Sequence, residues 1–322
     1  MIISKTPFRI SFAGGLSDIG DYYQKSYGAV TSTSIDKYIY LIINKRFGND
    51  IQINYSKAEI VKDISQIQHP MVREALKLLN INSNIEITVM SDIPARTGLG
   101  SSSSFAVGLL NSLYAYKGKY MDAETLAQEA CRIEIDILKE PIGKQDQYAS
   151  AYGGLNYIRF NSDETVEVKP IMMNNNKMDE LDNNLLLFYT GITRYASSIL
   201  NESKNKMEKY RNHVDQLRDL AKDVETALRK GDLTGFAKLL HKGWTYKKKT
   251  GNVTNPQIDE YYDKALKAGA NGGKILGAGG GGFLLLYCEG KYQDKVRKSL
   301  ENLREVDFHI KSHGSKIVFR ED

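Results

Sequence analysis

Three glycine- or serine-rich segments hold the residue types that could do chemistry. The sharpest is Pro94-Ala95-Arg96-Thr97-Gly98-Leu99-Gly100-Ser101-Ser102-Ser103-Ser104, which joins a β-type stretch to a helical one. Gly98 and Gly100 let backbone amides turn inward around Leu99, and Ser101, Ser102 and Ser103 open the helix. Amide donors at the positive end of a helix form an anion cradle that suits a polyphosphate, and a serine hydroxyl there can reach a bound magnesium ion. No Gly-Lys-Ser/Thr follows, so this is not a Walker loop. A plain connector with a capping serine would carry the same residues. A second run, Gly272-Gly273-Lys274-Ile275-Leu276-Gly277-Ala278-Gly279-Gly280-Gly281-Gly282-Phe283, enters an apolar strand. Flexible linkers are not flanked by Ile-Leu and Phe-Leu-Leu-Leu, so Gly277, Gly279 and Gly280 predict a tight turn with close backbone approach. The third, Pro7 to Asp18, ends a strand in Gly14-Gly15 and then an acid, which alone is an ordinary turn aspartate.

Positioning these segments requires mixed elements. Arg9–Gly15, Tyr38–Phe47, Ile51–Tyr55 and Ile85–Met90 alternate or run in β-branched and aromatic residues and predict strands. Helices are predicted over Ser101–Tyr116 and Asp122–Leu138, the second opened by an Asp122 cap and carrying Leu126, Ala130, Ile133 and Ile137 at helical spacing. Strands return at Leu155–Phe160, Val166–Pro170 and Leu185–Tyr189. A long charged helix from about Ser197 to Lys230 follows, then a Gly231-Asp232 break and a shorter helix to about Lys249. Pro256 opens a helix to about Ala268, and a helix near Gln293–Leu303 and two strands close the chain. The pattern is α+β, with a boundary near residue 182 giving domains 1–182 and 183–322.

Taken in order, the three segments resemble the motifs of the GHMP kinases, the superfamily of galactokinase, homoserine kinase, mevalonate kinase and phosphomevalonate kinase. The resemblance runs from residue 5 to residue 288. Gly15-Leu16-Ser17-Asp18, Gly143-Lys144-Gln145-Asp146-Gln147 and Gly191-Ile192-Thr193-Arg194-Tyr195-Ala196 look most like the heptose 7-phosphate kinases of that superfamily. The resemblance implies a two-domain fold with the active site between the domains, and it assigns roles. Asp146 falls at the catalytic aspartate, and Arg9 at the basic residue that keeps it ionised and steadies the attacked phosphate. Gly98 to Ser103 would bind ATP phosphates, and Ser102 and Glu134 match the magnesium ligands. Asp18 aligns with the aspartate that binds sugar hydroxyls. Gly15-Leu16 stands where galactokinases have Glu-His, which argues against galactose. A substrate that already bears phosphate needs cations, for which Lys144 and Arg194 are candidates, with Lys247-Lys248-Lys249 also available. Without the resemblance, Asp146 reads as a helix cap, Glu134 as a surface acid and Arg9 as half of a surface ion pair.

Composition agrees with a small-molecule enzyme. The 322 residues are 41% apolar and 26% charged, which excludes extensive disorder. Forty-four Lys and Arg against 39 Asp and Glu leave a net charge of +5, enough for anionic small molecules and too dilute for nucleic acid. Two distant cysteines, Cys131 and Cys288, suggest neither a disulfide framework nor a thiolate zinc site. The cysteine usage fits a reducing cytoplasm, and no apolar stretch reads as a leader or a membrane span, so a cytoplasmic protein is expected, with a homodimer left open. The expected function is an ATP- and Mg2+-dependent sugar kinase that phosphorylates the anomeric hydroxyl of a heptose 7-phosphate to the 1,7-bisphosphate, toward nucleotide-activated heptose. Rivals are another GHMP sugar kinase, acting on fucose, mannose or a hexose phosphate, and a sugar-sensing protein that kept the fold without catalysis.

Overall fold

The structure is a computed structural model and describes residues 1–192, 200, 206–311 and 313–321. The chain first lays down β1 (Ile2–Ala13), β2 (Tyr27–Lys45), β3 (Ile51–Asn54), β4 (Ala58–Val61), β5 (Ile85–Ser91), β6 (Leu155–Asn161) and β7 (Val166–Pro170). A second sheet follows from β8 (Leu185–Tyr189), β9 (Gly272–Ile275), β10 (Phe283–Tyr287) and β11 (Arg304–Glu305), before β12 (Ile310–Lys311) and β13 (Lys316–Arg320) return to the first. The first sheet runs β13-β1-β2-β5-β3-β4, with β12 and β6 also on β2 and β7 on β6; the second runs β11-β8-β10-β9. Pairing is antiparallel except between β3 and β5. The cut proposed at residue 182 falls just ahead of the second sheet, while β12 and β13 cross back to the first.

The helices are α1 (Gly20–Tyr23), α2 (Pro70–Leu78), α3 (Ser101–Tyr116), α4 (Ala123–Cys131), α5 (Gln145–Tyr152), α6 (Asn175–Asn183), α7 (Met207–Lys230), α8 (Leu233–Lys247), α9 (Pro256–Ala268) and α10 (Gly290–Ser299). Apolar on nearly every side, α3 is buried over most of its length. It lies close on β1 because Gly108 has no side chain: a Cβ there would stand 2.7 Å from Thr6 Oγ1. By contrast α7 is amphipathic, with Val214, Leu217, Leu220, Ala221, Val224 and Leu228 forming a buried stripe at helical spacing and its Lys and Glu residues mostly outside. Each fully buried Leu or Ile adds about 1.5–3 kcal/mol to the core that joins these helices to the first sheet.

The helix expected near Gln293–Leu303 runs over Gly290–Ser299, and α2, α5 and α6 are not among the predicted helices; two further departures have clear physical reasons. The strand expected at Tyr38 begins at Tyr27, because Thr31-Ser32-Thr33-Ser34, polar enough to read as a loop, is buried with the Thr31, Thr33 and Ser34 hydroxyls hydrogen-bonded. Thr31 Oγ1 donates to the Ala221 carbonyl at 2.7 Å, and Ser34 Oγ accepts from Gly154 N–H at 2.7 Å. The helix expected over Asp122–Leu138 starts as predicted, with the Asp122 carboxylate accepting from Thr125 N–H at 2.7 Å, but it widens after Cys131. There Leu138 N–H reaches back five residues to the Ile133 carbonyl at 2.9 Å. Wide turns of this kind rotate the faces of a helix and occur at functional sites. Here Ile137 is left 40% exposed while Glu134 is fully buried.

Candidate active site

Gly98 and Gly100 both have positive φ, +87° and +77°, and Gly100 caps α3. The first intrahelical bond is made by Ser104 N–H to the Gly100 carbonyl at 2.9 Å, so the amides of Ser101, Ser102 and Ser103 lie at the open end of the helix. The later glycine run holds this loop from behind. A Cβ on Gly98 would come within 2.8 Å of the Leu276 carbonyl oxygen, and one on Gly277 within 2.6 Å of Gly98 Cα. A Cβ on Gly279 would meet the Val253 carbonyl at 2.7 Å, and Gly280 N–H donates to that same carbonyl at 2.7 Å. Backbone packs on backbone between the two runs, which leaves no room for side chains.

From the neighbouring strand β1, Arg9 reaches the mouth of the loop. Its Nε and Nη2 donate to the two carboxylate oxygens of Asp146 at 2.7 Å each, and Nη1 donates to the Gly98 carbonyl at 2.8 Å. This is a bidentate, charge-assisted fork. The Arg9 side chain is 3% exposed and that of Asp146 22%, so the carboxylate opens on the cleft and the guanidinium lies behind it. Asp146 is in the first turn of α5, but its partner is Arg9 and the cap residue is Lys144. A carboxylate fixed in this way can accept a proton from a hydroxyl while keeping its orientation.

Asp18 is buried beside this pair. Its carboxylate accepts from Leu16 N–H at 3.1 Å and from Gln145 N–H at 3.2 Å, and burial together with the nearby Asp146 charge pushes its pKa up to about 6. Gly143 gives it space: a Cβ there would stand 2.0 Å from Asp18 Oδ2. Glu134 Oε1 accepts from Ser102 Oγ at 2.6 Å and Oε2 from Gln147 Nε2 at 2.6 Å. Burial pushes the Glu134 pKa up to about 7, against the lowering effect of these hydrogen bonds. An oxygen-bound cation would supply the positive charge that such a carboxylate lacks, and a hydroxyl with a carboxylate is a suitable partial ligand set for Mg2+ completed by phosphate oxygens. Among the described residues no group of three His, Cys, Asp or Glu side chains gathers to hold a metal by itself.

Arg9, Asp18, Asp146 and Ser102 line one cleft of about 840 Å3, while Glu134 and Gln147 lie buried behind Ser102 and do not line it. Its walls come from both halves of the chain: Arg9, Asp18, Gly98 to Ser103 without Leu99, and Asp146 from the first, Lys247 and the turn at Gly277 and Gly279 from the second. Leu99 is buried beneath the loop, its carbonyl accepting from Arg9 N–H at 3.1 Å. One end of the cleft is more apolar, where the His69 ring stacks on Phe105 at 5.0 Å and meets the edge of Tyr55 at 5.0 Å. Lys144 is not among the lining residues; its ammonium pairs with Glu164 and lies 5.0 Å over the Tyr23 ring. Arg194 lies outside the described residues. Sequence reasoning quoted Gln147 in its motif without giving it a role, and it did not reach the Tyr55, His69 and Phe105 wall, since single aromatic residues give no motif. It offered Lys247 only within the run Lys247-Lys248-Lys249, as a further cation for the substrate's phosphate, and the structure buries Lys247 at the cleft wall.

Residues 49–154 match the family described as GHMP kinases N terminal domain, and residues 224–306 match GHMP kinases C terminal. The chain belongs to the GHMP kinase family. This GHMP kinase is 29% identical to D-glycero-alpha-D-manno-heptose 7-phosphate kinase of Campylobacter jejuni, with 98% of each chain covered. It is 26% identical to L-fucokinase/L-fucose-1-P guanylyltransferase of Bacteroides fragilis, over 90% of this chain and 35% of that protein. Among solved structures, a D-glycero-D-manno-heptose 1-phosphate kinase from Bacteroides thetaiotaomicron superposes with a TM-score of 0.84 at 27% identity, covering 100% of both chains. The two-domain α+β fold expected from the motifs is therefore the observed one. As a member of this family with sugar kinases as full-length relatives, the protein is an ATP-dependent sugar kinase, a phosphotransferase with an alcohol group as acceptor. No described helix is long and apolar enough to cross a membrane.

Proposed function

We propose that this GHMP kinase transfers the γ-phosphoryl group of ATP to the anomeric hydroxyl of D-glycero-D-manno-heptose 7-phosphate, giving the 1,7-bisphosphate, an intermediate toward nucleotide-activated heptose. The observation that carries the chemistry is the Arg9–Asp146 fork, open to a cleft that begins at the Gly98–Ser103 loop. The full-length similarity to a heptose 7-phosphate kinase supports the substrate.

In this reading the adenine ring occupies the Tyr55, His69 and Phe105 end of the cleft, and the triphosphate runs along the amides of Gly98 to Ser103. Ser102 and Glu134 hold Mg2+, which neutralises phosphate charge when bound. Asp18 accepts hydrogen bonds from sugar hydroxyls. Asp146 takes the proton of the attacking hydroxyl, while Arg9 keeps that carboxylate aimed and steadies the phosphate under attack. Gly277, Gly279 and Gly280 act indirectly, by fixing the loop. The protein works in the cytoplasm, and a homodimer is compatible with this reading. Since the Lys144 ammonium is engaged by Glu164, Arg194 is the stronger candidate for the phosphate that the sugar already bears.

Arg194→Ala is expected to raise KM for the heptose phosphate by about 10- to 100-fold, the scale of a lost hydrogen bond to a charged group, with KM for ATP barely moved. Arg194→Lys keeps the charge without the planar fork and should recover part of the loss. Steady-state kinetics with each substrate varied in turn decides it. An equal rise in KM for ATP would place Arg194 in the nucleotide site or in packing.

A further inference from the structure

Three cations meet at a small recess that shares Arg9, Lys247 and Gly277 with the cleft, and one of them has no visible task. Arg9, Lys247 and Lys274 line this recess together with Ser11, Gln145 and Gly277. Arg9 is matched by Asp146. Lys274 Nζ is held by two backbone carbonyls of β1, Ser11 at 2.8 Å and Phe12 at 3.2 Å, and so ties the second sheet to the first. Lys247, at the end of α8, donates to the Gly277 carbonyl and forms no ion pair among the described residues. An ammonium has three donors, so one carbonyl leaves it unsatisfied. Its neighbour Lys248 behaves as a helix-end lysine usually does, pairing with Asp259 at 3.3 Å near solvent, whereas Lys247 is only 8% exposed.

The location narrows the purpose. Gly277, the anchor of Lys247, rests directly against Gly98 of the phosphate loop. Lys247 lines the same cleft as Asp18 and Asp146, and it feels the charges of Arg9 and Asp18. A buried cation without a counter-ion is costly and persists where a bound anion completes it.

We propose that Lys247 is a catalytic residue whose ammonium takes up negative charge on the phosphoryl oxygens during transfer. In that step the sugar hydroxyl oxygen bonds to the γ-phosphorus, the bond from that phosphorus to the β,γ-bridging oxygen breaks with its electrons leaving on ADP, and the hydroxyl proton passes to Asp146. Lys247 stays protonated throughout and acts by position and charge, so its effect appears in turnover more than in ground-state binding. The inference rests on the sugar-kinase assignment, which the wild-type rate in the same assay tests separately.

Titration gives a second handle. Burial and the Arg9 charge push the Lys247 pKa down to about 8, against the pull of Asp18; Lys274 also faces it, with Asp146 beyond Arg9. The active form is the protonated one, so activity is lost as pH rises through this value.

The test compares Lys247→Met and Lys247→Arg with wild type in kcat, KM for each substrate, pH profile and thermal unfolding. For Lys247→Met, kcat should fall by about 10² to 10³-fold with either KM changed by less than about threefold. Its unfolding temperature should match or exceed that of wild type, because an unpaired buried charge has been removed. Lys247→Arg should regain part of kcat and carry the alkaline limb of the profile upward, since guanidinium stays charged. A rise in KM for the sugar phosphate at unchanged kcat would instead make Lys247 a ground-state grip on the substrate. A lower unfolding temperature with normal kcat would make it a structural prop, and an alkaline limb unmoved in Lys247→Arg would also overturn the proposal.

Discussion

Asp146→Asn should lower kcat by roughly 10² to 10⁴-fold while ATP still binds, because the amide is nearly isosteric yet cannot take the hydroxyl proton. The geometry says what else will change. Arg9 donates to both carboxylate oxygens of Asp146, and an amide can accept only one of those bonds while turning its NH2 toward the other donor. A buried guanidinium then loses its counter-ion, so a stability loss of about 1–3 kcal/mol accompanies the kinetic one. Thermal unfolding measured beside kcat separates the two effects, since a folded and ATP-bound enzyme that turns over slowly isolates the proton acceptor. Near-normal kcat would remove Asp146 from the reaction.

The second large effect is expected at the phosphate loop. Gly100→Val places a β-branched residue at a φ of +77°, in the left-handed region that such side chains avoid. Its Cβ would also come 3.2 Å from Arg9 Cγ and 3.2 Å from Asp146 Oδ2, so both the loop and the Arg9–Asp146 fork must shift. Losing one charge-assisted amide contact to phosphate, about 1.5–3 kcal/mol, raises the Kd for ATP by roughly 10- to 100-fold, and calorimetric titration of the folded variant measures it. Were the variant to unfold while its folded fraction bound ATP normally, Gly100 would be a structural hinge with no part in nucleotide binding.

Much of this was legible in the sequence, for reasons that can be named. α3 over Ser101–Tyr116, α9 over Pro256–Ala268 and β8 over Leu185–Tyr189 emerged with their observed ends, because glycine, proline and unbroken apolar runs punctuate them. The phosphate loop was legible because Gly98, Gly100 and three serines advertise a backbone function locally. The Asp146, Arg9 and Glu134 assignments came through family resemblance; their own neighbourhoods look like a cap, a surface pair and a surface acid. Only tertiary structure puts Arg9 and Asp146, 137 residues apart, in a single fork. Glu134 was hidden by the widened turn, since ordinary helical spacing puts Ile137 inside and says nothing of Glu134. Lys247 was reached only as part of the run Lys247-Lys248-Lys249, because three successive lysines at a helix end give no local sign of which one is buried.

The central claim is tested most directly by ADP release over a panel of acceptors: D-glycero-D-manno-heptose 7-phosphate, the unphosphorylated heptose, fucose, mannose, galactose and hexose phosphates. The expected result is turnover with the heptose 7-phosphate at a kcat/KM at least about tenfold above any neutral sugar, the minimum worth of a charge-assisted contact to the substrate's own phosphate. A neutral sugar preferred outright would contradict the heptose 7-phosphate assignment while leaving a sugar kinase, and no ADP release above the acceptor-free rate with any member of the panel would contradict the account as a whole.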